Sequence, residues 1–329
     1  MTSVPLKPSA GGDDNVATRR GGRKKLTWDK VSFFLVFLGL PLALYLFFVV
    51  SPFVQAIYYS LTNWSGFTTN FTFVGLDNFV KVFQDELFMK ALLNNVILAV
   101  IVPIVTIVIA LIFSTMVTIG GPSRGQIRGL KGSSFYRVVS FFPYVIPAIA
   151  IGIIWAQVYT PNGGLLNSIL GLFGIEGSNW LGSASTAMGA SIFVIIWGLV
   201  GFYMVLFIAA IKGVPAEIYE AARIDGAGRF RLAVSITIPL IRDNVQTAFI
   251  YMGILALDAF VYMAALNPDG GPENSTWVMA QNLLRTAFTK GSFGLACAMA
   301  VIAALLTLCF AGLVFLVNKL TGGSKDTSY

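Results

Sequence analysis

The stretch 212–240, KGVPAEIYEAARIDGAGRFRLAVSITIPL, is the most informative segment of this 329-residue chain. Pro215 suits a first helical turn, where a missing N–H goes unneeded. Glu217 then stands near the positive end of that helix. Residues 216–224 favour helix, and Gly226 falls where a left-handed cap would end it. A second short helix can run from Arg229 to about Ser235, ahead of Pro239. The segment therefore reads as a helix–turn–helix. Its surface combines small residues (Ala221, Ala222, Gly226, Ala227) with charged ones (Glu220, Arg223, Asp225, Arg229, Arg231). Such a surface suits docking of a partner protein; a solvated loop with no partner is the other reading.

On both sides of this segment the chain is apolar. Hydrophobic residues make up 56% and charged residues 11%, against about 25% charged in an ordinary soluble domain. A soluble enzyme, a disordered protein and a disulfide-stapled secreted domain are excluded, and a multi-span membrane protein is expected. Six apolar runs, at about 31–57, 91–118, 138–158, 187–211, 244–266 and 293–318, are each long enough to cross the bilayer as a helix, which takes about 20 residues. Residues 1–30 read as a flexible basic tail and 321–329 as a short polar one. The first run is too long for a signal-peptide core and reads as an uncleaved span. The expected fold is an all-α integral membrane bundle filling 31–320, with the segment 213–239 projecting from it.

Basic residues orient the bundle. The N-terminal tail, the loops after the second and fourth spans and the C-terminal tail hold 18 Lys and Arg; the opposite side holds Lys81, Lys90, Arg285 and Lys290. This asymmetry places both termini, and the segment 212–240, in the cytoplasm. The net charge of +7 is thus that of basic cytoplasmic loops, and no nucleic-acid partner is implied.

The chemistry open to the chain is limited. It has no histidine, which excludes imidazole catalysis and histidine metal sites. Cys297 and Cys309 lie twelve residues apart in one apolar run, about 18 Å along a helix, too far for a disulfide. Gly120 to Gly125 has the spacing of a phosphate loop, but Gln126 and Ile127 stand where Lys and Ser or Thr are needed. Asp258 is the one Asp, Glu, Lys or Arg inside the apolar runs. It either lines a path or lies close enough to the interface, or to a neighbouring helix, to be satisfied. One carboxylate without histidine does not make a proton pump. Asn94, Asn95, Tyr144, Trp155, Gln157, Trp197, Tyr203 and Tyr251 dot the spans. They suit a sugar path, with rings stacking on sugar faces and amides bonding hydroxyls; interhelical hydrogen bonding and interfacial anchoring are the alternatives.

Glu220-Ala221-Ala222-x-x-Asp225-Gly226-Ala227, with Phe230, Ile236 and Ile238-Pro239, resembles the EAA loop of binding-protein-dependent ABC importer permeases. Asp243 departs from the second proline often found in sugar permeases. Val74-Gly75-Leu76-Asp77-Asn78-Phe79 resembles their "GLDNF" segment. Arg137, Pro143, Pro147, Trp155, Pro161, Gly164 and Asn167 are similar to their third span and the loop after it. Gly270-Gly271-Pro272, Ser275-Thr276, Phe288 and Gly294 resemble the stretch after the fifth span in the first of two permeases of maltose- and glycerol-phosphate-type importers.

The resemblance implies a six-helix type I permease in a prokaryotic inner membrane. It implies a second, different permease, two ATPase subunits and an extracytoplasmic sugar-binding protein as partners. This chain would hold no cofactor, ATP and Mg²⁺ belonging to the ATPases. Glu220, Ala221, Ala222, Arg223, Asp225, Gly226 and Ala227 would couple to the ATPases. Asp258, Tyr203, Trp155, Asn94 and Tyr251 are the candidates for the substrate path. The absence of Lys and Arg from the spans favours a neutral sugar; polyols and glycerol phosphate are alternatives, and an ATPase-independent secondary transporter is the competing class.

Overall fold

A computed structural model describes residues 28–119 and 132–320. The basic residues up to Lys25, Arg124, Arg128 and Lys131, the glycine spacing at 120–125, and the tail 321–329 lie outside the described residues.

Residues up to Phe53 form one compact unit and those from Val54 a second. The first long apolar helix, α1, is Ser32–Ser60. In the second unit Asn78 clamps the chain after α1, its side-chain amide donating to the carbonyls of Ser60 (2.8 Å) and Thr62 (2.7 Å). It lies on the short amphipathic helix α2 (Asp77–Gln84), within the GLDNF segment.

The rest of the second unit is built on two long helices, α3 (Glu86–Ile119) and α7 (Ala187–Lys212), packed side by side. Between them come α4 (Ser133–Val145), α5 (Ala148–Val158) and the short α6 (Leu165–Leu172). After α7 follow α8 (Ala216–Ile224), α9 (229–240), α10 (Arg242–Leu257), α11 (Phe260–Leu266), α12 (279–289) and α13 (Phe293–Leu320). Leu98 and Val102 of α3, Ile195, Leu199 and Phe207 of α7 and Met252 of α10 fill the main core. Val82, Phe88, Trp277 and Met299 form a smaller one around α2, α12 and α13. At Gly201 of α7 a Cβ would stand 1.7 Å from the Ser140 carbonyl oxygen, so this glycine is what lets α4 and α7 cross in contact.

Four of the described helices, α1, α3, α7 and α13, are long and apolar enough to span alone. The third and fifth expected spans are not single straight helices. The third breaks by 98° between α4 and α5. Pro147 forces Ile146 into extended backbone (φ −77, ψ 132), ending α4. The fifth bends by 48° between α10 and α11. Asp258 and Ala259 leave helical geometry there, and Asn95 on α3 donates to the Leu257 carbonyl at 2.6 Å. A neighbouring helix thus satisfies an acceptor at the break, as a bend in a span requires. The six expected spans are present if each bent pair counts as one.

The helix after the turn is also longer than expected, continuing past Ser235 to Leu240. Pro239 supplies no N–H for the preceding turn, and the backbone widens over 232–237, where the Thr237 hydroxyl donates to the Leu232 carbonyl at 2.9 Å. Such a widened turn lets a helix pass a proline without stopping. Pro239 therefore sits inside α9, and the kink falls at Ile241 (φ −100, ψ 17).

Candidate functional site

The projecting segment folds around α8. Pro215 stands one residue before the helix, in extended backbone (φ −54, ψ 136). At the other end Asp225 closes the helix and Gly226 turns left-handed at φ +79. The Gly226 N–H donates to the Arg223 carbonyl and the Ala227 N–H to the Ala222 carbonyl, both at 2.9 Å. This pair of bonds is the Schellman arrangement, and it fixes the direction in which the chain leaves α8.

One side of α8 anchors it to the bundle. Tyr219 and Ala222 are buried in the main core together with Leu232 of α9. Burial pushes the Tyr219 phenol above its usual range, so it stays neutral and works as packing. The other side is open: Glu220, Ala221, Asp225 and Gly226 are exposed, and Arg223 and Ala227 are half-buried. All seven residues read from the sequence therefore share one short helix and its cap. Six of them face outward in whole or in part, and Ala222 faces the core.

Two residues that sequence reasoning left out of the docking set complete this surface. Ile224 is 87% exposed and Phe230 81% exposed. Ile224 lines a groove of about 660 Å³ with Glu220, Arg223, Gly226 and Arg229, and Phe230 lines a separate apolar pocket against α3 with Val108, Ile112 and Met116. Exposed large apolar side chains beside charges of both signs are chemically suited to contact with another protein. The available signal was, for Ile224, its place directly before the Asp-Gly-Ala-Gly turn and, for Phe230, its place in the stretch that resembles the EAA loop.

A second candidate region is a cleft on the surface of the bundle, between α4, α7 and α10. Tyr203 of α7 and Tyr251 of α10 line one cleft of about 510 Å³ with Tyr144, Phe202, Asp243 and Thr247. Tyr144 and Phe202 stack at 4.5 Å between centroids. Asp243, Thr247, Tyr251, Leu255 and Asp258 are all exposed. Their spacing of three and four residues puts them along one side of the fifth span. Asp258 lies about 10 Å further along than Tyr251, at the bend, where its N–H still donates to Ile254 and Leu255.

The remaining two path candidates lie elsewhere. Trp155 packs among Tyr159, Phe193 and Trp197, with centroids 5.2–5.4 Å apart. Asn94 is buried, and its amide donates to the Trp277 carbonyl at 2.9 Å. The structure thus joins Tyr203 to Tyr251, sets Asp258 on the same side, and leaves Trp155 and Asn94 apart. Asp243 and Thr247 were not singled out as path residues, because a carboxylate and a hydroxyl at the start of a span look like ordinary interfacial residues.

A mostly helical bundle with bent third and fifth spans and a small outward-facing helix–turn–helix before the fifth defines a membrane permease. Residues 116–322 match the family model described as the binding-protein-dependent transport system inner membrane component, and the chain belongs to that family. It is 56% identical over 331 residues to the diacetylchitobiose uptake system permease protein NgcF of Streptomyces coelicolor, covering 99% of this chain and 94% of that one. It is 34% identical to the multiple sugar-binding transport system permease protein MsmF of Streptococcus mutans, covering 81% and 88%.

The fold matches that of a bacterial alginate ABC transporter, solved with an alginate pentasaccharide-bound periplasmic protein, at a TM-score of 0.76 and 19% identity, covering 91% of this chain and 99% of that one. The fold is therefore that of a type I ABC importer permease. The resemblance read from Glu220 to Pro239 is borne out. The chain is a transport component of an inner membrane, not an enzyme.

Proposed function

We propose that this chain forms half of the path by which an ABC importer takes up an N-acetylglucosamine disaccharide or a closely related neutral sugar. The observation that carries the reading is the 56% identity, over 99% of the chain, to a diacetylchitobiose uptake permease. The absence of fixed cations from the apolar runs agrees with an uncharged substrate.

In this reading the chain pairs with a second, different permease and with two ATPase subunits, which bind ATP and Mg²⁺. An extracytoplasmic binding protein delivers the sugar. Both termini and α8 face the cytoplasm. Closure of the ATPases on ATP pushes α8 as a rigid body through its groove contacts at Glu220, Arg223 and Ile224. Tyr219 and Ala222 carry that push into α7 and α9, because packed cores shift as units rather than deforming. The cleft at Tyr203 and Tyr251 then opens toward the binding protein. Aromatic faces there stack on the sugar rings, and Asp243, Thr247 and Asp258 offer acceptors along the way.

The test is uptake of radiolabelled N,N′-diacetylchitobiose by cells with and without the chain. Uptake should disappear on deletion and return with the intact chain. Undiminished uptake on deletion, with loss of a different solute, would give the path another substrate.

A further inference from the structure

At the end of the fifth span remote from α8, a second polar cavity of about 620 Å³ opens between α11 and α12. Its wall includes Phe260, Asp269, Trp277, Gln281, Arg285 and Thr289. The Arg285 guanidinium lies over the Trp277 ring, 5.6 Å from its centroid. The Trp277 Nε1–H is buried and has no acceptor among the described residues. That N–H is closed off from the cavity, so Trp277 contributes its ring to the wall and not its donor.

The wall is built in advance. Gln281 is fully engaged: its Oε1 accepts from the Val278 N–H at 3.2 Å, and its Nε2 donates to the carbonyls of Asn267 (3.0 Å) and Pro268 (3.3 Å). It fixes the loop to the start of α12. From α3, Asn94 holds the Trp277 carbonyl and Asn95 accepts from the Met279 N–H at 2.8 Å. The loop also carries two non-glycine residues in left-handed backbone, Glu273 (φ 52) and Asn274 (φ 55). Strain of this sort persists only where the surroundings enforce it, and it collects at ligand clamps.

Among the described residues, the groups left free toward the cavity are a carboxylate on Asp269, guanidinium donors on Arg285 and the Thr289 hydroxyl. Acceptors and donors face a space bounded by aromatic rings. A fixed anion and a fixed cation together repel neither hydroxyls nor amides, but each opposes a ligand of its own sign. The volume suits a ligand of one or two rings. Building on the importer reading above, we infer that this cavity is an outer sugar-binding station, which takes a neutral pyranose ring before it reaches the cleft at Tyr251.

Alkylation of a cysteine at Thr289 reports on this cavity directly. Thr289→Cys is made in the complete importer, with Cys297 and Cys309 replaced, and labelled in intact cells by an impermeant maleimide. N,N′-Diacetylchitobiose, maltose and trehalose serve as probes, and a cysteine at Ser178 is the remote control. At about ten times the dissociation constant, the best probe should slow labelling about tenfold at position 289 and leave position 178 unchanged. Asp269→Asn and Arg285→Gln should each abolish the protection while the complex still assembles. Unchanged labelling at 289 with all three probes, or protection that survives both substitutions, overturns the station. Uptake is measured in parallel, so that protection with no uptake counts against the path reading alone, and uptake with no protection against the station alone.

Discussion

Replacing Gly226 with valine should uncouple the permease by deforming one turn. At φ +79 an L side chain costs about 1–2 kcal/mol, and a β-branched one more. Escape from that geometry sacrifices the bonds from Gly226 to Arg223 and from Ala227 to Ala222, each contributing about 0.5–1.5 kcal/mol. Valine takes the cheaper of these two routes, at about 2 kcal/mol, which leaves about 30-fold fewer molecules with α8 and Phe230 correctly disposed.

A Cβ at Gly226 would meet nothing within 4 Å, so crowding inside this chain contributes nothing. Gly226→Ala should therefore cost about 1 kcal/mol, and Gly226→Asn less, since asparagine tolerates this backbone. The assay is ATP-driven sugar uptake in vesicles reconstituted with the whole complex, alongside recovery of the ATPase subunits on the tagged permease. Uptake should fall in the order Asn, Ala, Val, and ATPase recovery should fall with it. Full uptake by Gly226→Val, or equal loss for Ala and Asn, would refute the reasoning from backbone strain.

Three further outcomes follow from other parts of the fold. Asn95→Ala removes the buried bonds to Leu257 and Met279 and should destabilise the bundle by about 2–4 kcal/mol, read as a lower midpoint of thermal unfolding in detergent. Asp258→Asn keeps the shape at the bend and removes the charge; transport kinetics should change while assembly does not, and unchanged kinetics would make this carboxylate merely wet. Single cysteines at Ser65 and Ser178 should react with an impermeant reagent outside intact spheroplasts and one at Ser324 should not; labelling at Ser324 would invert the orientation.

Much of this architecture was legible in the sequence because apolar length and helix-cap chemistry are local properties. The run at 187–211 became Ala187–Lys212, and the helix expected at 216–224 has those bounds with Gly226 capping it. What escaped depends on neighbours. Pro143 and Pro147 in the third span allow a kink there, but a count of apolar residues is blind to direction, so the 98° size of the turn at Ile146-Pro147 was hidden. The bend at Asp258 rests on Asn95, which is distant in sequence and reads equally well as a path residue. Pro239 looked like a stop because the widened turn that lets α9 continue through it has no composition of its own. On α8 and its cap the small and charged residues were visible in the sequence, but the exposure of Ile224 and Phe230 emerged only once α8 had committed Tyr219 and Ala222 to the core.

In the proposed mechanism, force passes through α8. Its most direct test is a photo-crosslinking amino acid at Ile224, 87% exposed beside the groove, in the tagged chain expressed with its partners. Irradiation followed by affinity purification and mass spectrometry should recover an ATP-hydrolysing subunit bound through position 224. Crosslinks to lipid or solvent alone, from a complex that still imports sugar, would contradict it.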